Sequence, residues 1–144
     1  MCLSTILETP KRAKKDIVCY KVIQLVCSSD GKEVTQTPYQ YFTVPKDVIN
    51  GKKPFIAKTE RGTIVTDRMF ERYKRYLGEI NGCAIHTFAA KTRAKADADE
   101  LKAGWGGRFR IYKCIIPEGT LYYNGFYNGR KSFASQKIVF KEVV

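Results

Sequence analysis

The densest run of residues able to meet a nucleotide is Tyr122-Tyr123-Asn124-Gly125-Phe126-Tyr127-Asn128-Gly129-Arg130-Lys131. Its four aromatic side chains offer flat faces on which a base can stack, and Arg130 and Lys131 supply charge for phosphate. Asn124-Gly125 and Asn128-Gly129 are strong hairpin or bulge signals. The same run also reads as an aromatic hairpin packed on a core, its charges simply hydrated. A second group is Gly104-Trp105-Gly106-Gly107, followed by Arg108 and Arg110. An indole on a glycine-flexible loop beside two arginines could stack on a base. A phosphate cradle of the familiar kind lies between a strand and a helix, whereas this loop follows a helix and precedes a strand. Termination of that helix through Gly104 accounts for the glycines. The expectation is that Trp105, Arg108, Arg110, Tyr122, Tyr123, Tyr127, Arg130 and Lys131 border one cleft for a phosphate-bearing ligand, a nucleotide or a nucleic acid. Arg130→Ala is then expected to weaken binding with little loss of stability.

Catalytic constellations are thinner. His86 is the only histidine, so any imidazole acid or base must be this residue. A single strand histidine with no serine-histidine-aspartate logic around it more often serves structure. Cys83 and His86 have metal-ligand spacing, but residues three apart on one strand point to opposite faces. No second pair completes a zinc site, and the sequence assigns neither a metal nor a cofactor. Asp97, Asp99 and Glu100 cluster on one helix, where a solvated face explains them.

The composition agrees with a phosphate-bearing partner. Lys and Arg number 26 against 14 Asp and Glu, a net charge of +12. The excess is spread: 13 basic and 8 acidic residues precede Tyr73, and 13 and 6 follow from it. A sustained positive field attracts polyanions, although it also serves plain solubility. Five cysteines form no framework spacing, and no apolar run reaches the length of a membrane span. The expected setting is a reducing cytoplasm with no membrane partner. Cys19, Cys83 and Cys114 sit in apolar runs, where a thiol behaves as a small hydrophobe.

The elements that must position these residues follow from periodicity. Met1–Lys15 reads as a basic N-terminal extension that is either a polyanion-touching arm or a frayed end, and 16–144 as one domain. Ile17–Cys27 reads as a strand, Ser28-Ser29-Asp30-Gly31 as a turn and Tyr39–Val44 as a later strand. Lys46–Gly62 looks like a long basic loop broken at Gly51 and Pro54, of the kind that often carries function. Thr66 and Asp67 cap a helix over Asp67–Glu79, with Met69, Phe70, Tyr73, Leu77 and Ile80 on one stripe. Cys83–Phe88 reads as a strand, Ala90–Leu101 as a helix, Arg108–Ile116, Leu121–Tyr123 and Lys137–Val143 as strands. The fold class expected is α+β, a mixed, mostly antiparallel sheet with two helices in a single compact domain.

Certain segments carry a resemblance. His86-Thr87-Phe88 with its Ala-rich helix, Ile116-Pro117-Glu118-Gly119-Thr120 with Tyr122-Tyr123, and Ala134-Ser135 resemble small uncharacterised proteins of Bacteroides-type gut bacteria and their phages. Met1-Cys2-Leu3-Ser4 and Cys19-Tyr20-Lys21-Val22 extend the likeness. It implies a phage or mobile-element protein, and for a nucleotide ligand a role in sequestering a signal of host defence. A more distant similarity is to ADP-ribosyltransferase-like folds, in which a strand, an Ile-Pro-x-Gly-Thr turn and a last strand recur. That similarity implies an enzyme acting on a nucleotide through His86 and Tyr20; where those enzymes place a glutamate, this chain has Ser135-Gln136. A structural or protein-inhibiting phage protein with an acidic partner is the third reading.

Overall fold

Apolar residues at both odd and even positions of Ile17–Cys27 require cover on both faces, which is the situation of a central strand. The computed structural model describes residues 5–6, 9–38, 42–59, 61–72 and 84–144. In chain order its strands are β1 (Thr5–Ile6), β2 (Lys11–Arg12), β3 (Ile17–Cys27), β4 (Glu33–Gln36), β5 (Phe55–Ile56), β6 (Ile85–Phe88), β7 (Arg108–Ile116), β8 (Leu121–Tyr127), β9 (Arg130–Ser135) and β10 (Lys137–Val143). Among the described residues three helices accompany them: α1 (Lys46–Ile49), α2 (Asp67–Arg72) and α3 (Lys91–Trp105). The sheet runs β1-β8-β9-β6-β3-β7-β10-β5, with β2 on β8 and β4 on β3. Every pairing among the described strands is antiparallel. The protein is thus an α+β fold, rich in strand and built as one compact domain.

Only Gln136 separates β9 from β10, yet the two strands have different neighbours. β9 lies between β8 and β6, and β10 between β7 and β5. The path β9-β6-β3-β7-β10 is therefore joined covalently at its ends, and the sheet must curl back on itself. Gln136 knits the bend. Its Oε1 accepts from Leu121 N at 3.0 Å and its Nε2 donates to Asp67 Oδ1 at 2.7 Å. Its carbonyl accepts from Ala57 N at 2.7 Å.

The curled sheet buries side chains in two clusters. On one face of β3 and β7, Tyr20, Val22, Phe109 and Ile111 join Phe88 and Tyr127 beneath Ala94, Ala98 and Leu101 of α3. The other face supplies Cys19, Ile23, Tyr112, Cys114 and Ile116 to the main core, which continues through Ile138, Phe140, Phe70 and Tyr123. Cys19 and Cys114 stand directly opposite each other in β3 and β7, both as free, buried thiols. Burial pushes the Cys19 thiol up to about 12, and Cys114 is raised by burial and by Cys19 beside it.

Several boundaries differ from the sequence expectation for physical reasons. The described part of the N-terminal segment is tied to β8 through β1 and β2, with Ala13 buried against the 117–120 turn. Thr66 does cap α2, its Oγ1 accepting from Met69 N at 3.3 Å. The expected continuation of that helix through Tyr73, Leu77 and Ile80 lies outside the described residues, as does Cys83. After the Ser28–Gly31 turn, the second strand of the hairpin is Glu33–Gln36; the described part of Tyr39–Val44 meets it through a Gln36↔Thr43 bridge and the Val44 N–H donating to the Thr35 carbonyl at 2.8 Å. The expected loop over Lys46–Gly62 holds α1 and β5. α3 passes through Gly104 and stops at Gly106, whose φ of 71° no longer continues a helix. Asn128-Gly129, with φ of 49° and 73°, forms the two-residue β8–β9 turn. Asn124-Gly125 instead stays in register inside β8, opposite Phe133 and Ser132.

Candidate functional site

The residues singled out in the sequence occupy three separate places. Tyr127 and Arg130 face each other across the β8–β9 hairpin, on the side covered by α3. There Arg130 pairs with Glu100 through both guanidinium nitrogens and lies 3.9 Å from the carboxylate of buried Asp97. Asp97 is therefore not part of a solvated helix face, and Arg130 is a clamp between hairpin and helix. The Arg130 guanidinium holds the Glu100 carboxyl below its usual range. Trp105 is the exposed last residue of α3, roughly 12 Å further along the helix axis than Asp97.

Arg108 and Arg110 form the second place. Both reach Glu33 of β4, at 2.8 and 3.8 Å, so their nearest anion is the chain's own. Tyr122 and Lys131 form the third, because alternation sends them to the opposite face of the hairpin from Tyr127 and Arg130. Tyr123 belongs to none of these. It is fully buried, its hydroxyl donates to the Phe70 carbonyl, and its ring lies 4.9 Å from that of Phe70. No face of it is left for a base, so as a ligand residue it is corrected to a core residue. Of the residues implied by the transferase similarity, Tyr20 packs beneath α3 and His86 is buried; neither is among the described lining residues of the cavities beside Lys21 and beside Tyr122.

The structure instead opens a cavity of about 350 Å³ where the sequence shows a basic, interrupted stretch. Its walls come from Thr37, Phe42, Thr43 and Pro45 before α1, Val48 within it, Pro54–Thr59 around β5, and Ala84 and Ile85 entering β6. Lys21 of β3 completes it. Local chemistry explains why these segments stand where they do. β5 pairs with β10 through Ile56↔Lys137 and Phe55↔Ile138. The turn beyond β5 is closed by Thr59 N to Thr63 O at 2.8 Å and by Gly62, whose φ is 83°. Gly51 lets the α1 segment dock on β10: a Cβ there would lie 2.5 Å from the Phe140 carbonyl oxygen.

Lys21 gives the cavity its chemistry. It shares a face of β3 with Cys19, Ile23 and Leu25, all buried, and is itself only 7% exposed. Nζ donates to the His86 carbonyl across the β3–β6 boundary at 2.8 Å. The surrounding walls are largely apolar, with Phe55 half-buried and Phe42 well exposed. Thr37, Thr43 and Thr59 add hydroxyls, and Lys58 adds a second cation. No Asp or Glu is among the described lining residues. Burying an ammonium is costly unless anions or oriented dipoles compensate it, and the His86 carbonyl is one such dipole. Such an arrangement can receive the anionic end of a small molecule while apolar walls take its body.

Sequence reasoning passed over Lys21 because a lysine among apolar residues usually marks a solvent-facing position. The signal was nonetheless present: its neighbours at two-residue spacing, Cys19 and Ile23, are apolar on the same face. No family model matches the chain, and no curated protein or solved structure matches it either. Among the described residues, no helix is long and apolar enough to cross a membrane.

Proposed function

We propose that this chain is a non-catalytic binding protein for a small phosphate-bearing molecule, a mononucleotide, held in the cavity beside Lys21. The observation that carries this reading is a nearly buried lysine ammonium in the wall of an otherwise largely apolar cavity of about 350 Å³. That volume lies within the range of small-molecule sites. Phe42 and Phe55 offer flat faces for a base, and Lys21 with Lys58 offers charge for phosphate. The positive field of the whole chain raises the local concentration of such an anion. With the phage resemblance, the corresponding role is sequestration of a nucleotide signal used in host defence.

Isothermal titration calorimetry with AMP, ATP, adenosine and inorganic phosphate tests the proposal. AMP or ATP is expected to bind more tightly than either adenosine or phosphate alone, and Lys21→Met is expected to abolish that binding. Failure of both nucleotides to bind, or unchanged binding by Lys21→Met, would count against it.

A further inference from the structure

A second concavity, of about 580 Å³, lies away from the Lys21 cavity and is lined by Lys11, Arg12, Lys14, Lys15, Ile17 and Tyr122. These lysines are not on a loose tail. Lys11 and Arg12 pair with Tyr122 and Leu121 of β8. Ala13 is buried, its N–H donating to the Thr120 carbonyl at 2.9 Å while its own carbonyl accepts from Gly119 N at 2.8 Å. Fixing Ala13 inward leaves Lys11, Lys14 and Lys15 as an exposed, pre-positioned basic strip.

Two described acids near the strip make bonds within the fold. Asp16 Oδ1 accepts from Glu118 N at 2.9 Å, and Asp67 is engaged by Gln136 and Arg12. The register also puts an aromatic beside this strip: Tyr122 is opposite Lys11, and its ring meets the Phe133 ring edge-on at 5.9 Å. Lys131 stands 5.9 Å over that same Phe133 ring and continues the positive charge across the hairpin face. Cations on a short strand and on the bend that follows it, beside a half-buried tyrosine, complement a flexible backbone of phosphates that can also present a base.

We infer that this groove is a second binding site, for a single-stranded nucleic acid, independent of the Lys21 cavity. The lysines neutralise phosphates and Tyr122 provides the stacking face. The experiment is fluorescence anisotropy with a labelled twelve-residue oligothymidylate, titrated across salt concentrations. Lys11→Ala, Lys14→Ala and Lys15→Ala together are expected to reduce the slope of log K against log salt by about 2. Tyr122→Leu, which keeps an apolar side chain against Phe133, is expected to weaken binding about tenfold or more with the slope unchanged. Neither change is expected to alter the calorimetric response to AMP. The double variant Lys14→Ala/Lys15→Ala changes only exposed positions, and is expected to reduce the slope by about 1.4.

An unchanged affinity and slope in the lysine variants would overturn the inference. So would Tyr122→Leu binding as tightly as the parent, or binding of anionic phosphatidylserine vesicles with no binding of the oligonucleotide. AMP binding that fails while the oligonucleotide results hold would overturn the cavity reading alone.

Discussion

The α3 side of the sheet and the Lys21 cavity both bury a cation, and the two are buried differently. Under α3, Arg130 is 12% exposed in its side chain and meets Asp97 and Glu100, two carboxylates supplied by the chain itself. In the cavity, Lys21 is held by the His86 carbonyl and faces walls in which no described carboxylate appears. An arginine matched by two acids on a packed helix is explained by the fold. A lysine in the wall of an open cavity is the position to which the proposed function assigns a ligand's anion. Aromatic and basic composition does not distinguish the two cases; the neighbours do.

The largest expected effect breaks the architectural side of this comparison. Arg130→Ala deprives buried Asp97 of its cation and unfastens the hairpin from α3, and should cost about 3 kcal/mol in denaturant unfolding. The sequence expectation was the reverse, little loss of stability. A midpoint within experimental error of the parent would show that the clamp is not structural. Next in size is Gly51→Ala. The backbone there has φ of 78° and a Cβ would press on the Phe140 carbonyl, so about 2 kcal/mol should be lost as α1 is pushed off β10. Nucleotide binding should weaken with it, since Val48 and Pro45 line the cavity.

Much of this was legible in the sequence, and the rest failed for definable reasons. The limits of β7 could be read because a run of strand-forming residues is bounded by Gly107 and Pro117. Asn128-Gly129 announced its turn, whereas Asn124-Gly125 carried the same signal and was overridden by strand partners on both edges. Gly104 suggested a helix end, but a glycine costs a helix only about 1 kcal/mol and α3 runs past it. The role of Asp97 was hidden because its partner Arg130 comes from a hairpin distant in sequence. The cavity was indicated only as a long basic segment, since its walls are gathered from β3, β5, β6 and α1 by the curl at Gln136. Tyr123 shows the limit of aromatic content as evidence: without its neighbours, a core tyrosine and a stacking tyrosine look alike.

A smaller effect concerns acid. Gln136 and then Arg12 lower the Asp67 carboxyl, and Arg130 lowers that of Glu100. Both groups then bind protons less readily folded than unfolded. Their contribution to stability is fully present above the ordinary carboxylate range, near pH 4, and is lost as pH falls through the lowered folded values. Both carboxylates are solvent-accessible, so the loss should be gradual, and Asp67→Asn should flatten the stability profile below about pH 4. A profile unaltered by that substitution would remove Asp67 from the account. Smallest is a labelling contrast: in the native protein a thiol reagent should modify exposed Cys27 and leave buried Cys19 and Cys114 unreacted. Peptide mapping would read it, and rapid labelling of Cys19 or Cys114 would show that the β3–β7 interface opens.

The claim on which the rest depends is that Lys21 serves a ligand. Lys21→Met preserves the length of the side chain and removes its charge, so paired measurements of thermal unfolding and AMP calorimetry on this one variant test it directly. The expected result is loss of nucleotide binding with only a modest fall in melting temperature, since the His86 carbonyl loses its donor. A markedly lower melting temperature, or AMP binding that persists unchanged, would contradict it.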